Sequence, residues 1–178
     1  MTRILFTLAA FLAAAVAGHL LMIRAIPSIV MGKAIDALIE LDAPMHAFAL
    51  SPKMTPQTQT VVRPSPDLAY SICIFDLAKG DVMVEAAPWR DYASLSVFDA
   101  STNNVFVTSL EQDVEAPRGV MITKAGRDAD APAGLPLLSL DANRGVILIR
   151  RLAPTQALFD EAAALTAQDK CALRERPA

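Results

Sequence analysis

Histidine and cysteine, the residues most often recruited for catalysis and metal binding, are scarce in this chain: its 178 residues hold two of each. Cys73 and Cys171 stand far apart, with no CxxC pair and no histidine at ligand spacing, so a zinc site has almost no support. A GxSxG elbow, an HExxH pair and a phosphate-cradling glycine loop are all missing. Neither histidine makes a persuasive general base, because His19 lies in an apolar run and His46 in a proline-punctuated connection, where it reads as a surface residue. A serine triad would have to join His46 to a distant serine, and no pair of carboxylates stands out by spacing. There is thus no recognisable catalytic motif and no signature that asks for a cofactor. Runs of basic residues are also absent, and 16 Lys and Arg against 19 Asp and Glu give a net charge of −3, which excludes nucleic acid as a partner.

What the chain does have is apolar surplus. Hydrophobic residues make up 53% of it and the mean hydropathy is +0.37, too apolar for an ordinary soluble domain. The surplus is local: 23 of the first 31 residues are hydrophobic, and the remainder sits near the globular norm of about half. Residues 4–23 contain no charge and are bounded by Arg3 and Arg24. At about 1.5 Å per residue, a helix of that length crosses roughly 30 Å of hydrocarbon. Ala15-Val16-Ala17 has the small-x-small pattern of a signal-peptide cleavage site, which leaves processing after Ala17 as the alternative. The apolar continuation His19-Leu20-Leu21-Met22-Ile23 favours an uncleaved anchor instead. Basic residues on the two sides nearly balance, so orientation rests on the signal-like polarity of the segment. That polarity places the N-terminus in the cytoplasm and exports the domain, as a single-pass membrane protein. Beyond Arg24 the body holds 14 basic against 19 acidic residues, a net charge of −5, which makes attachment to anionic headgroups by charge improbable.

Past Pro27, Met31, Ile35, Leu38 and Ile39 recur at helical spacing, predicting a short amphipathic helix over residues 28–41 with Ser28 as its N-cap. Pro44, Pro52 and Pro56 punctuate a surface connection after it. From Thr60 the period becomes two. Residues 70–75 and 82–85 alternate around the turn Ala78-Lys79-Gly80-Asp81 and predict one hairpin. Residues 92–99 and 105–108 flank the corner Ser101-Thr102-Asn103-Asn104 and predict a second. Residues 120–123, 137–140 and 146–150 are further strands, the last two read as a third hairpin around residues 141–145. A closing helix follows Pro154, capped by Thr155, with Leu158, Phe159, Ala162 and Leu165 on one face. Strands at roughly ten-residue spacing without intervening helices predict a mainly β chain, an antiparallel β-sandwich or jelly-roll-like domain. The expected organisation is a transmembrane signal-anchor helix over residues 1–26, an amphipathic helix and linker over 27–59, and a β-rich domain with a C-terminal helix over 60–178.

Six residues are candidates for a polar site. Arg63 and Asp67 flank Pro64-Ser65-Pro66, whose two prolines stiffen a loop that runs into a strand at Tyr70. Arg90, between Trp89 and Tyr92, is a cation flanked by aromatics, and Asp99 with Asn103 belongs to a corner dense in acceptors and hydroxyls. A ligand-binding or enzymatic module would use the guanidinium groups to orient an anion or carbonyl and the carboxylates as acceptors. The competing readings are an ion pair from Arg63 to Asp67 or Asp99, and plain turn chemistry around Asp99. Cys73 and Cys171 could form a disulfide if the domain is exported, closing a loop worth roughly 4 kcal/mol. Otherwise Cys73 is a buried strand residue and Cys171 a free thiol on the last helix.

The motifs VVRPSPDLAYS (61–71), DLAKGDVMVEAAP (76–88), DYASLSVFDASTNNVFV (91–107) and RRLAPTQALFDEA (150–162) resemble the bacterial family called domain of unknown function 1254. The resemblance covers about residues 28 to 172. Ser65, Leu68 and Ala69 depart from it, since many members carry Asn at the first position and Thr at the other two. It implies a β-rich, jelly-roll-like, envelope-associated domain without an established activity. In longer relatives a second β domain, of the kind called domain of unknown function 1214, follows in the same chain. The resemblance therefore implies that this protein, attached to the bilayer through residues 4–23, docks a protein partner bearing that complementary β domain.

Overall fold

A computed structural model describes residues 2–55 and 64–174. The chain begins with one helix, α1 (Thr2–Glu40), long and apolar enough to cross a membrane. The two helices expected on either side of Pro27 are therefore continuous. Ser28 is an interior residue and not a cap. Proline has no N–H to offer the carbonyl of Ile23, but the loss of one bond does not break the helix, whose continuation past the proline is held by Met31 and Ile35 packing on Ile74.

After α1 come β1 (Ala49–Leu50), β2 (Leu68–Asp76), β3 (Asp81–Glu85), β4 (Ala93–Phe98), β5 (Asn104–Ser109), β6 (Gly119–Lys124), β7 (Leu137–Leu140), β8 (Arg144–Leu152), α2 (Gln156–Thr166) and β9 (Lys170–Arg174). They form two sheets, one ordered β1-β2-β8-β4-β5 and wholly antiparallel, the other β7-β6-β3-β9. The chain is thus mostly β, as the spacing of apolar residues predicts. Two expected hairpins are absent. β2 and β3 lie in different sheets, so the turn at residues 77–80 carries the chain from one sheet to the other. β7 and β8 are also in different sheets, and β7 pairs in parallel with β6, Met121 opposite Leu137. The hairpin of β4 and β5 does form, with Leu95 opposite Thr108. Nor does a helix end the chain: α2, capped by the Thr155 hydroxyl accepting from Leu158 N–H, is followed by β9, which carries Cys171.

The two sheets share one core. Cys73 and Phe75 of β2, Val82 and Val84 of β3, Leu95 and Val97 of β4, Val120 and Ile122 of β6, and Ile147 and Ile149 of β8 fill it, and Phe159 and Ala162 of α2 close one end. A second, smaller cluster lies on the outer face of the five-stranded sheet, where Met31 and Ile35 of α1 pack on Ile74, beside Phe98 and Val146. The C-terminal part of α1 is thus seated on the β domain.

Two links bind the sheets across the core. Cys73 of β2 and Cys171 of β9 are joined as a disulfide. Beside it, the Arg151 guanidinium grips the Asp169 carboxylate at both ends, Nη1 to Oδ2 at 2.8 Å and Nη2 to Oδ1 at 2.7 Å, with side-chain exposures of 1% and 0%. Ala87 completes the arrangement: its carbonyl accepts from Arg151 Nη2 at 3.0 Å and its N–H donates to Asp169 Oδ1 at 3.0 Å. One guanidinium thereby fastens the end of β8 to the segment after β3 and the turn before β9.

Removing one partner of such a pair leaves the other charge buried and uncompensated. Asp169→Asn is expected to lower the unfolding free energy by about 3–5 kcal/mol in urea titration. Arg151→Lys should lose most of that as well, because an ammonium cannot reproduce the two-pronged contact. Unchanged midpoints would show that the buried pair is energetically idle.

Candidate functional site

The residues singled out in the sequence divide among separate parts of the domain. Arg63 lies outside the described residues. Its neighbours form a short structured approach to β2. The Tyr70 hydroxyl accepts from Ser65 N–H at 2.8 Å, Asp67 N–H donates to Ser65 Oγ at 3.3 Å, and Ala153 N–H donates to the Asp67 carbonyl at 2.7 Å. The proline pair and Tyr70 therefore fix the loop against the end of β8, while the Asp67 side chain faces solvent.

Asp99 and Asn103 do meet, but each is occupied with the other. Asp99 Oδ1 accepts from the N–H groups of Ser101 (2.7 Å) and Asn103 (3.0 Å), and Oδ2 accepts from Asn103 Nδ2 (2.9 Å). Thr102 takes a left-handed backbone, φ 64°, to close the corner. This corner lies beyond Phe98, at the opposite end of β4 from the strand position that adjoins Tyr70.

Arg90 is placed by Trp89. The indole is buried, its Nε1 donating to the Leu152 carbonyl at 3.1 Å, and the Arg90 guanidinium lies over the ring, 5.3 Å from its centre, while pairing with Glu161 of α2. Trp89, Arg90, Gln112, Glu161 and Gln168 line a shallow cavity of about 440 Å³. Its cation is already paired and half exposed, so an entering anion would have to displace Glu161. Among the described residues, no other candidate lines this cavity. Tyr70, Arg90, Asp99 and Asn103 thus find partners at three different places and do not converge on one concavity. Among the described residues no group of three or more His, Cys, Asp and Glu side chains is arranged to hold a metal ion.

Two features escaped the sequence reading. The buried Arg151 and Asp169 pair gives no local signal, since its partners are 18 residues apart and Arg151 follows another arginine. His46 is not the surface histidine expected. It adopts a left-handed backbone, φ 56°, donates its N–H to the Ile74 carbonyl at 2.8 Å, and has neither ring nitrogen hydrogen-bonded. The irregular segment after α1 is pressed onto the sheet by the bridge between Met45 and Ile74, and the imidazole is covered with it.

Burial pushes the His46 pKa below its ordinary 6.5; nearby Lys79 pushes the same way and Asp76 opposes. Between 6.5 and that lower value the unfolded chain binds a proton that the folded chain refuses, so stability is complete above 6.5 and falls as pH falls. His46→Asn suits the left-handed backbone and does not titrate. Urea midpoints followed from about pH 8 to pH 5 should decline less steeply in that variant than in the parent. Parallel profiles would remove His46 from the acid response.

No curated protein matches the chain. Among solved structures, the VPA0106 protein from Vibrio parahaemolyticus is similar with a TM-score of 0.62 and 14% identity, over 85% of this chain and 39% of that one. An uncharacterized protein from Burkholderia cenocepacia aligns with a TM-score of 0.47 and 15% identity, over 85% of this chain and 42% of the other. The chain therefore spans less than half the length of the solved structures it matches, and the first likeness speaks to the fold alone. The family model described as Protein of unknown function (DUF1254) matches residues 45–175, most of the chain and all of its strands, and the protein belongs to that family.

Proposed function

We propose that the protein is a single-pass envelope protein whose α1 crosses the bacterial inner membrane and holds a jelly-roll-like β-sandwich in the periplasm, where the domain docks a protein partner bearing a complementary β domain. The observation that carries this reading is the joint presence of a bare apolar helix and a buried disulfide. No protein covers the most apolar stretch of α1, so lipid is the solvent that suits it. The disulfide suits an oxidising compartment and would be out of place in the cytosol. Two sheets closed on a single core support the sandwich description, with the parallel pair of β6 and β7 as its departure from a purely antiparallel one.

Docking is supported by the outer face of the five-stranded sheet. Met31 and Ile35 cover only the Ile74 end of it. The next row runs Ile72, Leu148, Ser96 and Val107 across β2, β8, β4 and the edge strand β5. Val107 is 62% exposed, and Tyr92 beside the same face is 47% exposed. An edge strand with unpaired backbone groups and a bare valine is the kind of border a β domain can extend or cover.

Spheroplasts test the placement: added protease is expected to digest the β domain in spheroplasts and spare it in intact cells, with Cys73 and Cys171 recovered oxidised. Full protection, or free thiols, would overturn the assignment. A photocrosslinking residue at Val107 tests the docking and should join the protein to one β-domain polypeptide, while the same probe at Ala157 on α2 should not. Equal or absent crosslinking at both positions would leave docking at this face without support.

A further inference from the structure

We propose that the corner between β4 and β5, residues 99–104, rests in the headgroup layer of the bilayer crossed by α1 and forms a second lipid contact besides the helix. This inference depends on the crossing proposed above. It starts from where apolar exposure on α1 stops. Ile26, Ile29 and Val30 lie past Arg24 and are still 46%, 54% and 53% exposed, with no side chain of the domain to cover them, and the next charge is Lys33. From Ile4 to Val30 the helix rises about 40 Å, beyond the roughly 30 Å of hydrocarbon and close to the thickness that includes the headgroup layers. Arg24 can sit within that stretch because its long side chain reaches outward to the interface. The lipid boundary on the domain side therefore lies near residues 28–30.

The domain meets the helix at that level. Ser28, Met31, Gly32, Ile35 and Asp36 form one face of α1 and enclose a cavity of about 170 Å³ with Ala100 and Arg144. Ser28 Oγ is 3.3 Å from Ser101 Oγ, so the corner is level with Ser28, about 7 Å along the axis from Ile23. α1 runs as one helix from the apolar stretch to Met31 and Ile35, which are buried against the sheet and hold the domain at this level.

The chemistry of the corner suits headgroups. Thr102, Asn103 and Asn104 are exposed; the Thr102 hydroxyl and the second amide hydrogen of Asn103 can donate to phosphate and ester oxygens, while the Asn104 amide is engaged with the carbonyls of Phe106 and Val97. The one carboxylate, Asp99, is turned inward onto three N–H donors and need not confront phosphate. Zwitterionic lipid fits better than anionic lipid, given the net charge of −5 on the body.

The test uses the full chain in phosphatidylcholine vesicles, with single fluorophores on Leu12→Cys, Thr102→Cys or Ala157→Cys; the native cysteines are already joined to each other. Cysteine is not β-branched and tolerates the backbone at position 102 at least as well as threonine does. Lipids spin-labelled in the headgroup are expected to quench Thr102 at least about twofold more than Ala157, and lipids labelled in the acyl chain to quench Leu12. If Leu12 is quenched but Thr102 no more than Ala157, the corner does not touch lipid although the crossing stands. If Leu12 is not quenched, the crossing fails and this inference with it.

Discussion

The fold depends on how β9 is held. It is the last strand of the smaller sheet, five residues long, and pairs with β3 on one side only. Four of its five residues are exposed, so hydrophobic burial along it is slight. Within three positions, however, the chain carries Asp169 and Cys171, one locked to Arg151 and the other bonded to Cys73. Both partners belong to the five-stranded sheet. A charge pair that has lost its water holds only if its geometry is good, and here both guanidinium prongs and the backbone of Ala87 take part. The guanidinium keeps one unsatisfied position, Nε, so even this arrangement is not complete. The disulfide closes a loop of 98 residues that contains most of the domain, and by chain entropy such a closure removes about 4–5 kcal/mol of freedom from the unfolded state. The two links act on one strand and are therefore not independent. Loss of either shifts its load onto the other.

Parts of this structure were legible in the sequence because their causes are local. The apolar stretch of α1 and the Thr155 cap with its buried Phe159 and Ala162 depend on residues within a few positions of one another. The hairpin of β4 and β5 closes through Asp99, whose acceptors serve the turn itself. The failures are those of partner choice. Residues 77–80 and 141–143 carry hairpin-like turn chemistry, but a turn specifies a reversal and not which sheet receives the next strand. At the first, Leu77 is fully buried and Asp81 is held by Thr123 and Arg127, which commits β3 to the second sheet. Proline 27 misled for a different reason: a breaker is outvoted when both flanks are helical and one of them is seated on a sheet.

The candidate site was legible residue by residue and not as a site. Tyr70, Arg90, Asp99 and Asn103 were rightly seen as polar groups in exposed or entering positions, and each has a partner close in space. What a sequence cannot display is that these partners are separate: Ser65 for one, Glu161 for another, and Asp99 with Asn103 for each other. A catalytic constellation needs groups left unsatisfied toward a common point. Among the described residues the buried polar atoms left without a hydrogen bond are Arg151 Nε inside the core, Ser96 Oγ on the other face of β4, and the two ring nitrogens of His46 in the segment after α1. None of them lines the cavity beside Arg90.

The continuity of α1 gives the outer face of the five-stranded sheet a direction. A domain on a flexible tether samples all orientations, whereas the crossing proposed for α1 would give this domain a preferred attitude to the bilayer, because Met31 and Ile35 of the same helix are buried against its sheet. The same face of the five-stranded sheet therefore serves two purposes. Its Ile74 end receives the helix, and the rows through Leu148 and Val107 extend away from it toward the edge strand β5. A partner meeting that edge meets it at a set height and angle. The corner after β4, which leads into β5, also holds the contact between Ser101 and Ser28. Helix packing and strand pairing thus meet on one face of the sheet, and they do so because α1 does not break at its proline.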